Sequence, residues 1–308
     1  GVIPHHGQWT EDLKFISRSN KLLVGSNSIW PTDKNQLVMY DIPTRKREKT
    51  YPVEKGSIYG IYVCPGENKF ITQGYEILLW DLNAASIIKK YEGPSVRSFS
   101  LDVDPAGKNI ISNDYNGKFY HWDLESGKLI QTSAKGSFSN LTFCNNGKSF
   151  IGKSDETLKL FDLAGMKEKL TWKTKHKFIE ELCVSDDNKL TATFSNNKVE
   201  LWNNTTGELI STLNGSLNKI SKLVFSKDGK YLIASSTEGI VRFWDIKTKM
   251  EVVSLISSVN GEWLIATPDG YWDSSPKGGE LVSMVDKTQL WSVDQFADRK
   301  STRLNSSH

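Results

Sequence analysis

The amino-acid sequence predicts an all-β protein assembled from repeated units of short antiparallel strands. An aromatic residue followed by Asp, Asn or Ser ends an apolar run at intervals of 39 to 47 residues, and turn residues flank each ending. Short apolar runs separated by turn residues are typical of strands joined by hairpins. The aromatic residues at these endings are Tyr40, Trp80, Trp122, Phe161, Trp202, Trp244 and Trp291.

Each repeat carries the pattern of four strands. In the sixth repeat, the run LVFSKDGKYLIAS holds two apolar segments around a turn with Asp228 and Gly229, and FWD at Trp244 ends a third. The following DIKTKMEVVS gives another turn and a fourth segment. Asp and Gly suit these turns because a tight hairpin needs a positive φ or a side chain that bonds its own backbone.

This period of about 40 residues with Trp-Asp endings resembles the WD-repeat β-propeller family. The resemblance covers residues 6–296 and implies a seven-bladed β-propeller of four-stranded antiparallel blades over residues 1–297. The aromatic endings would then fill the space between neighbouring blades. We expect Val2–His6 to complete the last blade as its outermost strand. The repeats are expected to end near residues 41, 81, 123, 162, 203, 245 and 292.

The repeats depart from the family pattern in one respect. The Gly-His dipeptide, whose His joins a hydrogen-bonded group with Asp and Trp in the family, is absent from every repeat. Asp114 and Asp155 stand near the family's turn Asp, and the sixth repeat has Glu238 instead. Hydrogen bonding inside the blades is therefore expected to be poorer than in regular members, and apolar packing to carry more of the stability.

The sequence shows no pattern typical of catalysis, of a metal site or of cofactor binding. The cysteines, Cys64, Cys144 and Cys183, are widely spaced, and His5-His6 has no third ligand at a suitable spacing. Nucleophile-elbow, phosphate-loop and dinucleotide motifs are missing. We therefore expect no catalytic, cofactor or metal residue in this chain. A propeller enzyme with a catalytic site in its central channel remains the alternative.

Composition argues against nucleic acid and membrane as partners. The formal net charge is +3, and no apolar stretch approaches the roughly 18 residues of a membrane helix. The expected partner is a protein, or a downstream domain of the same chain, and the expected location is the cytoplasm. The expected function is that of an interaction or regulatory scaffold, because a rigid array of blades presents loops for binding.

The last repeat points to a wider protein context. Residues 260–296 carry EWL, TPDGYWDSSP and the ending DQF, and they resemble the closing segment of bacterial WD-repeat proteins that continue into a caspase-like cysteine peptidase. The resemblance implies that the peptidase would lie beyond this fragment. Residues 298–308 back-translate to a common sequencing adapter, so we expect this tail not to be native and the natural protein to be longer at both ends.

Two long turns suggest a binding face. Alternate turns of an antiparallel blade emerge on the same side, so the turns between second and third strands share one face. Those of the first and last repeats, residues 25–35 and 274–279, are long and carry aromatic and proline residues. If the ring closes, they become neighbours. The candidate partner-binding residues are Trp30, Pro31, Tyr271, Trp272, Pro276 and Lys277.

Overall fold

A computed structural model describes most of the chain, and it divides into two compact units, residues 1–171 and 172–308. Among the described residues, no helix is long and apolar enough to cross a membrane. The described residues are 9–16, 19–27, 36–53, 58–94, 98–133, 138, 140–144, 147–154, 156–174, 178–195, 198–213, 220–286 and 289–292.

The strands of the first unit form antiparallel blades, each a meander in chain order. Blade 1 contains β1 (Trp9–Ile16), β2 (Lys21–Asn27), β3 (Gln36–Asp41) and β4 (Lys46–Tyr51). Blade 2 contains β5 (Ile58–Val63), β6 (Lys69–Gly74), β7 (Ile77–Asp81) and β8 (Ile87–Tyr91). Blade 3 contains β9 (Ser98–Val103), β10 (Asn109–Asp114), β11 (Phe119–Asp123) and β12 (Leu129–Ser133). Blade 4 contains β13 (Asn140–Phe143), β14 (Ser149–Lys153), β15 (Thr157–Asp162) and β16 (Lys167–Lys173), whose last residues belong to the second unit.

The second unit contains two further blades and a separate hairpin. Blade 5 contains β17 (Glu181–Val184), β18 (Leu190–Ser195), β19 (Lys198–Asn203) and β20 (Leu209–Leu213). Blade 6 contains β21 (Ile220–Phe225), β22 (Tyr231–Ser236), β23 (Ile240–Asp245) and β24 (Glu251–Ser257), and its sheet continues into β25 (Trp263–Ala266) and β26 (Trp272–Ser274). A turn of 3-10 helix (Gly278–Leu281) follows, and β27 (Ser283–Asp286) pairs with β28 (Gln289–Ser292).

The expectation of seven blades is wrong, because the described residues form six. The last repeat does not build a four-stranded blade: β25 pairs antiparallel with β24 and extends blade 6, while β27 and β28 form a two-stranded sheet. The cause is local. A tight turn, in which Ser258 N donates to Glu262 O at 2.9 Å and Gly261 has φ +83°, returns the chain onto β24. The expected strand at Val2–His6 lies outside the described residues.

Six of the seven aromatic residues that mark the repeats lie on the third strands of the blades. Trp80 packs among blade 1 and blade 2 side chains, Trp122 among those of blades 2 and 3, and Trp244 among those of blades 5 and 6. Phe161 similarly contacts Phe119 of blade 3, with ring centroids 5.5 Å apart. Trp291 lies in β28, and its side chain is outside the described set. The repeat-marking aromatic residues of the six blades are all buried: Tyr40, Trp80, Trp122, Phe161, Trp202 and Trp244.

Two of the buried indole N–H groups donate to a threonine hydroxyl instead of a histidine. Trp80 Nε1 donates to Thr72 Oγ1 and Trp202 Nε1 to Thr193 Oγ1, each at 2.8 Å and each within its own blade. A threonine on the second strand therefore satisfies the buried indole N–H in blades 2 and 5. Because a buried donor left unsatisfied costs about 1–3 kcal/mol, this hydroxyl contributes to blade stability where the Gly-His pair is absent.

The residue after the aromatic closes the next turn. The side chain of Asp81 accepts from the backbone N–H groups of Asn83 and Ala84, at 2.8 and 2.7 Å. Asn203 does the same for Thr205 and Thr206. Asp or Asn is needed here because a short side chain with an acceptor oxygen can bond the backbone two or three residues ahead. The corresponding acceptors in the other blades are Asp41, Asp123, Asp162 and Asp245.

Candidate binding face

The turns between second and third strands present two exposed tyrosines on neighbouring blades of the first unit. Tyr75 stands between β6 and β7 and is 63% exposed, and Tyr115 stands between β10 and β11 and is 69% exposed. Both turns join a second strand to a third strand, the class of turn in which the sequence predicted binding, but that prediction did not single out these two residues. The sequence signal that could have identified Tyr75 and Tyr115 is an aromatic residue inside a turn, where packing of the core does not require one.

The turn that carries Tyr115 is fixed by hydrogen bonds to the carboxylate of Asp114. The carboxylate of Asp114 is buried and accepts from the backbone N–H groups of Asn116 at 2.9 Å and Lys118 at 3.0 Å. Its other oxygen accepts from the hydroxyl of Tyr120 at 2.9 Å. Burial and the hydrogen bond to Asp114 raise the pKa of Tyr120 to about 12, so the phenol stays protonated and keeps donating.

The turn that carries Tyr75 has an aromatic and an ionic support. The ring of Tyr59, at the second residue of β5, meets the ring of Tyr75 edge-on with centroids 6.4 Å apart. Beside it, Lys90 Nζ donates to Glu76 Oε1 at 2.8 Å. The hydrogen bond and charge of Glu76 raise the pKa of Lys90 above its ordinary value. The face therefore combines aromatic rings with charges of both signs at its rim.

Buried amide side chains lock neighbouring blades together directly beneath these turns. Gln73 Nε2 donates to Ser98 O at 3.2 Å, and Asn113 Nδ2 donates to Phe138 O at 2.7 Å. In blade 1, Asn27 exchanges two hydrogen bonds of 2.8 Å with the backbone of Ile58. In each pair, the end of a second strand fixes the start of the next blade. A buried amide N–H group that is paired with a backbone carbonyl of the next blade gives a defined geometry.

The residues predicted from the last repeat are divided between surface and interior. Tyr271, Pro276 and Lys277 are exposed, whereas Trp272 is only 4% exposed and packs against Leu264. Trp272 therefore stabilises the hairpin that β25 and β26 add to blade 6, which we call the added hairpin, and its side chain does not form part of the surface. Trp30 and Pro31 lie outside the described residues.

The loop with Pro276 and Lys277 is fastened to the start of β25. The carboxylate of Glu262 accepts from the backbone N–H of Lys277 at 3.1 Å and from the hydroxyl of Ser275. Ser275 N donates to Trp263 O at 3.0 Å. Gly278 is buried here, and a Cβ atom at this position would lie 1.9 Å from Trp263 O. The loop thus has a fixed conformation that requires glycine.

The described cysteine thiols are not activated as nucleophiles, and the described His, Cys, Asp and Glu side chains do not cluster into a metal site. Burial raises the pKa of Cys64 to about 12 and also raises the pKa values of Cys144 and Cys183, whereas a reactive thiol needs a lowered pKa. Among the described residues, no group of three or more His, Cys, Asp or Glu side chains could hold a metal ion. The pair His5-His6 lies outside those residues.

His121 belongs to a hydrogen-bonded chain across blades 3 and 4. Asn109 Nδ2 donates to Asp104 at 2.6 Å, so its Oδ1 is the acceptor for His121 Nε2 at 2.8 Å. His121 Nδ1 then accepts from Gln131, whose amide also donates to Leu163 O at 2.6 Å. Both nitrogens of a neutral imidazole are satisfied, and burial lowers the pKa of His121. The arrangement joins two blades and offers no open catalytic position.

Comparison with known proteins yields one family and several distant relatives. The WD40 family profile, described as WD domain, G-beta repeat, matches residues 207–245, which end on Trp244-Asp245. The transcriptional corepressor LEUNIG_HOMOLOG of Arabidopsis thaliana is 21% identical over 216 residues, which cover 68% of this chain and 27% of the relative. COMPASS component SWD3 of Saccharomyces cerevisiae is 26% identical over 197 residues, covering 58% of this chain and 61% of the relative.

A further relative is the WD repeat-containing protein SL1-17 of Schistosoma mansoni, 23% identical over 203 residues, which cover 61% of this chain and 67% of the relative. The matches to the corepressor and the COMPASS component span less than two thirds of those proteins. The six repeated blades, their aromatic-Asp or aromatic-Asn endings and these similarities together support WD40-type repeats folded as propeller-type blades, with the family match itself at residues 207–245.

Proposed function

We propose that this chain is an interaction scaffold that binds a segment of a protein partner on the face carrying Tyr75 and Tyr115. The observation that carries the proposal is the pair of exposed tyrosines on rigid turns of neighbouring blades. Large aromatic side chains with little freedom to lose are favoured at protein interfaces, and they supply most of the binding energy when a partner covers them.

The character of the relatives agrees with such a role. One is named as a transcriptional corepressor and another as a component of the COMPASS complex. The raised pKa values of the described cysteines speak against a thiol nucleophile in this chain. A scaffold fits both observations better than the alternative of an enzyme with its site in a central channel.

A peptide selection tests the proposal. Random peptides displayed on phage are selected on the immobilised chain, and the dissociation constants of the winners are measured against variants. Tyr115→Ala and Tyr75→Ala should each weaken binding at least tenfold, about 1.4 kcal/mol, without changing the melting temperature. Phe15→Ala, which removes an exposed aromatic side chain from a strand instead of a turn, is the matched control. Selected peptides that bind both tyrosine variants with unchanged affinity would contradict the proposed face. Trp30→Ala tests the predicted contribution of the first long turn in the same assay.

We also propose the wider context that the last repeat suggests: a larger bacterial protein, located in the cytoplasm, in which the blades regulate a downstream caspase-like peptidase. The support is the resemblance of residues 260–296 to the closing segment of such proteins. The complete natural reading frame beyond Ala297 decides the matter. A cysteine peptidase domain is expected there, and any other continuation would overturn this context while leaving the scaffold proposal untouched.

A further inference from the structure

The outermost strands of the blades differ in how their free edges are protected. In blades 1 and 4 these strands open with charged residues: β4 begins Lys-Arg-Glu-Lys and β16 begins Lys-Glu-Lys. Charged side chains, lysine above all, are a common protection of an exposed sheet edge against pairing with another strand. The charged residues of β4 and β16 therefore disfavour the pairing of another strand with the edges of blades 1 and 4.

The outermost strand of blade 3 lacks this protection. The sequence of β12, Leu-Ile-Gln-Thr-Ser, contains no charge, and Leu129 and Ile130 are 38% and 48% exposed. Where the structure describes the chain, β12 pairs with β11 and with no strand on its other side. Apolar side chains on an unprotected edge are the combination that invites a further strand.

The outermost strands of blades 2 and 5 are weaker versions of the same feature. In blade 2, exposed Ile87 and Ile88 are followed at once by two lysines in β8. In blade 5, Leu209 and Ile210 occupy the corresponding places in β20 but are only half-exposed. Blade 3 therefore has the most accessible uncharged edge among these three blades.

The sixth blade shows what kind of segment covers such an edge. There β25 lies antiparallel along the outermost strand β24, with Leu255 opposite Ile265 and Ile256 opposite Leu264. The added strand reads Trp-Leu-Ile-Ala. In this arrangement the side chain of Leu264 is buried, with 1% of its surface exposed. An uncharged, apolar strand is thus the natural occupant of an outer blade edge in this very chain.

The edge of blade 3 is also held in place for pairing. Gln131, in the middle of β12, donates to Leu163 O of blade 4 at 2.6 Å and to the ring of His121 at 3.3 Å. These contacts fix the strand from its inner side. A strand that is already ordered costs less entropy when a partner adds to it.

From these observations we propose that β12 is a strand-addition site. Its occupant is an extended, uncharged apolar segment of a partner protein, which pairs with Leu129–Ser133 as β25 pairs with β24. Main-chain hydrogen bonds would provide affinity and the apolar pair Leu129–Ile130 would provide preference for aliphatic and aromatic side chains. This edge is separate from the tyrosine-bearing turns, so it is a second surface beyond the proposed function.

The test uses a peptide of the chain's own added strand, Glu-Trp-Leu-Ile-Ala-Thr, with a nitroxide at its N-terminus. Added to the full-length, isotope-labelled protein, it should broaden the amide signals of residues 129–133. The double variant Leu129→Lys/Ile130→Lys should weaken this binding at least tenfold. Because both side chains are exposed, the variant should keep its fold, which its unshifted melting curve would verify. Thr212→Lys, on the outermost strand of blade 5, is the matched control and should bind as the wild type does.

Three results would overturn the proposal. The first is broadening confined to β24, which would mean that the peptide only exchanges with the chain's own hairpin. The second is no broadening up to the solubility limit of the peptide. The third is a dimer of the free protein that the double lysine variant dissolves, which would make a second copy the occupant. Each is independent of Tyr75→Ala and Tyr115→Ala, so failure here is distinguishable from failure of the tyrosine face.

Discussion

The sixth blade and the segment that follows it contain similar sequence patterns and fold differently. In the blade, Trp244 is buried against the preceding blade, and Asp245 closes the turn that leads into the fourth strand. In the following segment, the apolar run at β25 joins the edge of β24, and the Trp291 ending belongs to a two-stranded sheet. An aromatic ending and apolar runs are thus insufficient for a blade, because the turn before the first strand decides where that strand pairs.

The largest expected effect separates the blade cores from the added hairpin. Trp122 is fully buried between blades 2 and 3 and donates to Glu92 O at 2.9 Å. Trp122→Ala should cost about 3–5 kcal/mol of unfolding free energy, because a large cavity opens inside the core. Trp272→Ala, which removes a buried side chain from the small cluster around Leu264 at the edge of blade 6, should lower the free energy of unfolding less. Denaturant unfolding of both variants measures the difference, and equal losses would mean that the hairpin is part of the blade core.

The next effect concerns the loop that fastens the hairpin. Gly278→Ala places a Cβ atom against the carbonyl oxygen of Trp263, so the loop or β25 must shift. Overpacking of this kind costs about 1–3 kcal/mol, and amide exchange of Trp263–Ala266 should quicken while the blades keep their protection. Gly165→Ala, where the new atom meets only ordinary contacts, is the control. Unchanged exchange in β25 would show that the loop does not hold the strand.

A smaller effect tests the threonine that stands in for the family's histidine pattern. Thr193→Val keeps the shape of the side chain but leaves Trp202 Nε1 without its acceptor. The expected loss is about 1–2 kcal/mol, the cost of a buried unsatisfied donor. Thr212→Val, exposed on β20, should change stability by less than about 0.5 kcal/mol. Equal stability of the two variants would remove the proposed role of the hydroxyl.

The mildest effect is a dependence of stability on pH in the first unit. Burial lowers the pKa of His121 from its ordinary 6.5, against the opposing influence of Asp104 and Asp123. The unfolded chain therefore binds the proton more readily than the folded chain. This contribution is complete above pH 6.5 and is lost as the pH falls from there through the lowered pKa. The free energy of unfolding is measured with urea for the wild type and for His121→Gln between about pH 5.5 and 7.5. As the pH falls, it should decrease more steeply in the wild type than in the variant. An equal pH dependence of the two proteins would contradict this prediction.

The repeat itself could be predicted from the sequence, since the spacing of Tyr40 to Trp244 and the turn residues after them encode the strands of six blades. The number of blades could not. Residues 258–262 resemble a linker in composition, and only their hydrogen bonding and the φ of Gly261 reveal a hairpin turn. The sequence predicted a binding face from the long turns at 25–35 and 274–279 and did not reveal Tyr75 or Tyr115, because a lone tyrosine in a turn has no periodicity to mark it.

Engineered disulfides across β24 and β25 test the central claim, that the last repeat extends blade 6, most directly. Ser254 stands opposite Ala266 in the antiparallel register, whereas Asp273 lies one strand further out. The pair Ser254→Cys/Ala266→Cys should oxidise within the folded monomer, because cross-strand Cβ atoms stand about 4.5–5.5 Å apart. The pair Ser254→Cys/Asp273→Cys should stay reduced, because two strand spacings separate its members by about 9–10 Å. Failure of the first pair to link, or linkage of both pairs, would contradict the six-bladed account.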